Sequence, residues 1–220
     1  MAISMVVHQA LFRHRAIDAM HTFPLIAVID GDFAHLAHRI EPPQITAHIS
    51  GSEAALQLSF IVEKTSASAH LQAQSGELKP IRADYLWQKD CFECFIQRID
   101  EAAYLEMNAN LTGEFNIYQF DAYRTPPIIP PVASQDYALQ SFVDADDHHL
   151  YFAVEISPLF EQGLQTQWLA QGLNVNPVVI LYPIIDGEAV PVYYAHQHAT
   201  PPDFHHSAYW QRLDYRTAEE

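Results

Sequence analysis

Between residues 84 and 124 apolar and polar positions alternate with period two, the pattern of half-buried β-strands. In a first strand Phe92, Cys94 and Ile96 share one face, and Cys91, Glu93, Phe95 and Gln97 share the other. In a second, Leu105, Met107 and Ala109 oppose Tyr104, Glu106, Asn108 and Asn110. Tyr118 falls on a third strand after a tight turn. One face of this three-stranded unit is apolar. The other mixes carboxylates, amides and aromatic rings.

The rest of the chain carries the same alternation. Pro24 to Ile29 reads as a buried strand ending at the Asp30-Gly31 turn, whereas AISMVVHQALF before it is either an edge strand or a short helix. Residues 32 to 40 place Phe33, Leu36, Ala37 and Ile40 at helical spacing behind an Asp cap. Ile45 to Ser50 and Leu56 to Glu63 predict a hairpin around Gly51-Ser52-Glu53, with one wet face. Residues 64 to 82 lack periodicity and read as a surface loop or a weakly helical link. The prolines between residues 123 and 135 exclude a central strand and predict an extended crossover to a second sheet. Strands follow at Leu139 to Val143, Leu150 to Ile156, Pro177 to Ile185 and Val190 to Ala195, the last pair joined at Asp186-Gly187. A short helix is predicted from Ser157 and Pro158 to Gly163. The tail from Gln211 is expected to fray. Together these elements predict one all-β domain over residues 1–220, core about 24–215, built as a two-sheet antiparallel β-sandwich of jelly-roll or immunoglobulin-like type with one or two short helices.

Composition sharpens this. The 220 residues carry 14 Pro, 7 Gly, 12 Phe and 11 Tyr, a balance that favours β architecture in a single substantial core. The net charge of −16 repels a phosphate backbone and an anionic bilayer, so neither nucleic acid nor membrane is an expected partner. MAISMVV lacks the basic start and cleavage site of a signal peptide, which makes cytoplasmic residence the expectation. Cys91 and Cys94 spell CxxC, yet residues three apart on a strand point to opposite faces. Two free thiols are expected, with Cys94 in the core.

The run LWQKDCFECFI, followed by YLEMNANLTGEFNIYQFDAYR, resembles the DOMON-like, family-9-type ligand-binding domain of bacterial proteins. YYAHQHATPPDFHH resembles that family's closing motif. The resemblance covers roughly Leu86 to His206. It implies a β-sandwich and a binding role, with sugars the better-known ligands of related modules and haem the ligand of some DOMON relatives.

The candidate chemistry gathers on the mixed face. Glu93 and Glu106, if directly opposed on neighbouring strands, would stand with Cβ atoms about 4.5–5.5 Å apart. Paired carboxylates can hydrogen-bond ligand hydroxyls or do acid–base work on a glycoside. Asn108 would fix hydroxyls beside them, Tyr118 would share the face, and Trp87 would stack on a ring. Arg124, at a loop mouth, would balance the acids or fork onto a ligand. His205 or His206, in the Asp203-Phe204-His205-His206 turn, would hydrogen-bond a ligand or join the acids on a metal. Glu155 is a third acid on a strand that could belong to the distant sheet. Asp144, Asp146 and Asp147 lack the glycine and distal Glu of a calcium loop and read as a solvated turn; calcium or another divalent ion stays open as a cofactor. These residues predict non-catalytic binding of a small polar ligand, a saccharide or polyol, with no catalytic residue assigned. Two alternatives remain: a glycoside-acting enzyme, and a haem module with Met107 or His206 as axial ligand.

Overall fold

The computed structural model describes residues 20–51, 55–159 and 172–214. The reading of residues 1–19, the turn at 52–54 and most of the helix expected before Gly163 lie outside these residues.

The three central strands form as the alternation predicts: β6 (Cys91–Arg98), β7 (Tyr104–Ala109) and β8 (Glu114–Phe120), antiparallel throughout. Before them come β1 (Met20–Val28), β2 (Ile45–Gly51), β3 (Leu56–Glu63), β4 (Gly76–Leu78) and β5 (Ile81–Arg82). After them come β9 (Tyr137–Ala145), β10 (His149–Pro158), β11 (Leu173–Leu181), β12 (Ile184–Ile185), β13 (Glu188–Ala189), β14 (Val192–Ala195) and β15 (Gln211–Leu213). The helical spacing at 32–40 yields a 3-10 helix, Gly31–Arg39.

The chain is all-β, but its main strands do not divide into two separate facing sheets. Thirteen of the described strands form one hydrogen-bonded sheet, in the order β4-β9-β10-β3-β2-β1-β14-β11-β6-β7-β8-β5 with β15 added on β11, while β12 and β13 pair apart from it as a small two-stranded sheet. β1 makes the sheet continuous. Its first part, Met20 to Leu25, pairs with β2, and its last part, Ile26 to Val28, pairs with β14. The sheet curls as a half-barrel, so the apolar faces of its two halves meet. Phe92 of β6 lies 5.3 Å, ring to ring, from Phe60 of β3 and 4.7 Å from Phe152 of β10. Cys94, Met107 and Ile117 belong to this same core. Burying such side chains contributes about 1.5–3 kcal/mol each, which fixes the register, because a one-residue slip would bring Glu93 and Glu106 into the core instead.

Four expectations are corrected. The face of β2 and β3 expected to be wet is buried: His48, Ser50, Gln57 and Ser59 are all at most 9% exposed. Gln57 Nε2 donates to Glu155 Oε2 at 2.9 Å, which ties that third acid to the far half of the sheet. Ser157 and Pro158 extend β10, pairing with Ala138 and Tyr137, rather than opening a helix. Residues 64 to 82 contain, besides a 3-10 turn at Ser66–Ser68, the edge strands β4 and β5. Gln211 to Leu213 does not fray but pairs with β11. The proline segment does carry the chain from β8 in one half to β9 in the other.

Candidate functional site

The outer face of the β11-β6-β7-β8 half carries a second, smaller cluster: Phe95, Tyr104, Tyr118, Phe120, Val178, Ile180, Ala195 and Trp210. Two loops and one turn rise around it. The first loop is the proline crossover, residues 121–134. The second is the Asp203 to Trp210 segment, held because the Phe204 carbonyl accepts from Trp210 Nε1 at 2.8 Å and from Asn176 Nδ2 at 3.2 Å. The turn is the 3-10 helix Leu86–Gln88, which presents Trp87. Between them lies a cavity of about 650 Å³. Its floor holds Glu93, Phe95, Glu106 and Ile180, and its rim holds Trp87, Arg124, Pro126 to Ile129, Tyr182, Tyr193 and Phe204.

Backbone strain sits at one rim residue and at one residue beside the rim. Tyr85, the residue that starts the Trp87 turn, has φ +61°, and Arg124 has φ +47°. Non-glycine residues adopt such angles rarely, at a cost of order 1–3 kcal/mol, and they tend to cluster at functional sites. Arg124 lines the cavity itself, whereas Tyr85 lies just outside it and sets the turn that brings Trp87 to the wall.

Glu93 and Glu106 share the face, as the parity predicts, but are not directly opposed. Glu93 pairs with Asn108, and Glu106 pairs with Phe95 on one side and Tyr118 on the other. The two acids are therefore diagonal neighbours, with Cβ atoms about 7–8 Å apart or somewhat less. Both line the cavity floor, at 2% and 5% exposure. Asn108 Nδ2 donates to Glu106 Oε1 at 2.7 Å. Glu93 Oε1 is buried with no hydrogen-bond partner. Burial, reinforced by the neighbouring Glu106 charge, pushes the Glu93 carboxyl well above its usual range, and the Cys91 thiol only partly offsets this. Burial likewise pushes Glu106 up to about 7, against the Asn108 hydrogen bond and the Arg124 charge.

His205 stands over Glu106, with Nε2 3.6 Å from Glu106 Oε2. Phe95 and Phe120 present their rings to it at 4.9 and 5.2 Å. Burial, together with the nearby Arg124 charge, lowers its pKa to about 4, so the ring is neutral at pH 7. Its tautomer follows from its neighbours. The Arg124 backbone N–H donates to Tyr104 Oη at 3.2 Å, and Tyr104 Oη lies 2.7 Å from His205 Nδ1. The Tyr104 proton is thus assigned to Nδ1, leaving His205 Nε2–H facing Glu106. The Arg124 guanidinium is committed to Asp203, Nη2 to Oδ1 at 2.9 Å, and Tyr123 Oη donates to the other Asp203 oxygen at 2.6 Å.

Of the residues singled out in the sequence, Trp87, Glu93, Glu106, Arg124 and His205 come together on the cavity wall. Asn108 and Tyr118 do not line it. Asn108 is wholly buried behind Glu106, and Tyr118 Oη donates to Asp84 Oδ1 at 2.9 Å. His206 is exposed, and its Nδ1 accepts from the Ala208 N–H at the start of the 3-10 turn Ser207–Tyr209. Met107 faces the main core and His206 faces away, so neither named haem ligand reaches the cavity. Cys91 and Cys94 are free and buried, Cys94 in the main core. At the acidic turn Asp146 accepts the His148 and His149 N–H groups, both at 2.7 Å, together with the Tyr151 hydroxyl. Among the described residues no group of three or more His, Cys, Asp or Glu could hold a metal ion, and no helix is long and apolar enough to cross a membrane.

The residues that sequence reasoning missed are Phe95, Phe120, Tyr104, Tyr182, Tyr193 and the proline-segment isoleucines. Phe95, Tyr104 and Phe120 were on the mixed face by parity alone. Tyr182 and Tyr193 reach the rim from a distant hairpin, which no local signal announces.

No protein-family model matches the chain, and no curated protein matches it in sequence. The family-9, DOMON-like resemblance therefore has no support from a family model. Among solved structures, a Bacteroides uniformis protein provisionally described as carbohydrate-binding aligns at TM-score 0.55 and 16% identity, over 88% of this chain and 85% of that one. At that identity the likeness concerns the fold. Domain G2 of mouse nidogen-1 aligns at TM-score 0.15 and 8% identity, over 70% of this chain and 76% of that one. A red fluorescent protein variant from Branchiostoma lanceolatum aligns at TM-score 0.15 and 9% identity, over 84% of this chain and all of that one. Likenesses at that score carry no argument.

Proposed function

We propose that the protein binds a small hydroxylated ligand, a saccharide or polyol, without covalent chemistry, in the cavity between the proline crossover and the Asp203 to Trp210 loop. The observation that carries this is the wall itself. Buried carboxylates on the floor and aromatic rings on the rim enclose about 650 Å³, within the range of small-ligand sites. Carboxylates accept from hydroxyls, while rings cover the C–H faces of a sugar. The fold of the Bacteroides uniformis neighbour, and its provisional description, agree with the reading. In this reading the two facing halves of the sheet act as the layers of a sandwich of the family-9, DOMON-like kind.

A thermal-shift screen over neutral sugars, sugar acids and polyols tests it. A ligand at 100 times its Kd stabilises by about 2.7 kcal/mol. The shift should vanish in Trp87→Ala and largely persist in Glu93→Gln. A panel without any shift, or a shift that Trp87→Ala leaves intact, sinks the proposal.

One observation favours a second reading, an enzyme acting on glycosides. Glu106, held near 7 beside a second acid, is tuned like a general acid. The diagonal register speaks against the close pairing of retaining enzymes. Turnover of aryl glycosides, lost by orders of magnitude in Glu93→Gln, would establish this alternative.

A further inference from the structure

The charges around the cavity floor do not balance. Two carboxylates, Glu93 and Glu106, are buried side by side on it. Among the described residues Arg124 is the one Lys or Arg on the cavity wall, and its guanidinium is bound to Asp203. His205, the other basic group there, sits edge-on to the Phe95 and Phe120 rings and contributes no charge at neutral pH. Glu106 receives one hydrogen bond from Asn108, whereas Glu93 Oε1 receives none. A buried carboxylate oxygen without a donor has given up its hydration and received no hydrogen bond in exchange. A native protein keeps such a group where a ligand, an ion, a water molecule or a proton completes it. Trp87, Phe95 and Tyr182 border the same space, and their ring faces attract cations.

We propose that the ligand bears a primary ammonium group on its hydroxylated ring, as an amino sugar does, and that this ammonium seats between Glu93 Oε1 and Glu106 on the cavity floor. The inference rests on the saccharide reading above and narrows it. An ammonium supplies three N–H donors and the missing positive charge, where a hydroxyl supplies one donor and none. The remaining hydroxyls face the rim, and the sugar ring lies against Trp87. In the empty site, protons on the carboxyl pair relieve the charge. An incoming ammonium lowers both carboxyl pKa values, so binding at pH 7 releases protons to solvent.

Calorimetric titration of the full chain with D-glucose, D-glucosamine and N-acetyl-D-glucosamine at pH 7, repeated in two buffers of different ionisation enthalpy, tests this. The expected result is glucosamine bound about tenfold or more tighter than glucose, a difference of about 1.4 kcal/mol. Acetylation, which removes the charge but keeps the ring, should cancel that preference. Buffer-dependent heat, the sign of proton release, should accompany glucosamine alone. Glu93→Gln, shown folded by its unfolding transition, should weaken glucosamine more than glucose and bring the ratio of the two affinities to within about twofold. Equal binding of the neutral and amino sugars overturns the ammonium site and leaves the saccharide reading standing. Binding of neither class overturns both.

Discussion

Asn108 Nδ2 donates to Glu106 Oε1 at 2.7 Å from a fully buried position directly across the ladder from Glu93. A single amide thus stands between the two acids of the cavity floor. It fixes the rotamer of one and, through its backbone pairing, the height of the other. Asn108 touches no part of the cavity, yet the geometry of the floor depends on it.

Asn108→Ala should therefore destabilise the protein by about 1–3 kcal/mol, because it leaves Glu106 without its N–H donor and opens a small void. The Glu106 pKa should rise further, since that hydrogen bond lowers it. Denaturant unfolding at pH 5 and pH 8 checks both points: the loss should be larger at pH 8, where Glu106 is ionised.

Glu106→Gln yields a pH-dependent stability difference. The carboxyl is at about 7 in the folded protein against a reference of 4.5. A raised folded pKa means that protonation stabilises the fold, fully below about 4.5, with the contribution lost progressively as pH rises to about 7. Glutamine resembles the protonated acid throughout. The variant should match the wild type at pH 4.5, gain on it as pH rises, and lead by about 1–3 kcal/mol above pH 7. Comparing variant with wild type cancels the contributions of distant histidines whose pKa values are lowered, such as His48, which weaken the fold as pH falls.

Tyr104→Phe removes the hydroxyl that lies between the Arg124 N–H and His205 Nδ1. Both groups lose a partner, so about 1–3 kcal/mol of stability should go with it. Nitrogen-15 NMR of the imidazole should then report a mixture of His205 tautomers in place of the single Nε2–H form.

Arg124→Gln makes the opposite case. The guanidinium is 53% exposed and its Asp203 partner 22%, and ion pairs this exposed contribute about 0–1 kcal/mol. Stability should stay within that margin, while ligand affinity falls because the rim loop loses its tie to Asp203. Calorimetry beside an unfolding curve separates the two.

The part of this site that the sequence exposed was the part governed by parity. Glu93, Phe95, Tyr104 and Glu106 lie on one face because successive strand residues alternate, whatever the rest of the chain does. Register did not follow from pattern: sliding β7 by two residues keeps every side chain on its face, yet decides whether Glu93 meets Glu106 or Asn108. Nor did the rim. Tyr182 reaches it because its N–H donates to Asp90 at 2.8 Å and its hydroxyl to the Trp87 carbonyl at 2.8 Å, contacts spanning more than ninety residues. His206 shows the converse limit. It sits in the same short turn as His205, but alternation across the turn sends one imidazole into the aromatic cluster and the other to solvent. The continuous sheet escaped for a related reason. Only Pro24 to Ile29 reads as a strand, and the pairing of β1 with β2 through Met20 to Leu25 and then with β14 is what joins the two halves.

Strand alternation brings two carboxylates into one buried, mutually repelling pair on the cavity floor. Carbon-13 NMR titration of the Glu93 and Glu106 side-chain carboxyls measures this most directly. Glu106 should titrate near 7 and Glu93 well above the usual carboxyl range, each resonance also registering the other's transition. Two independent titrations near 4.5, the ordinary carboxyl value, would contradict it.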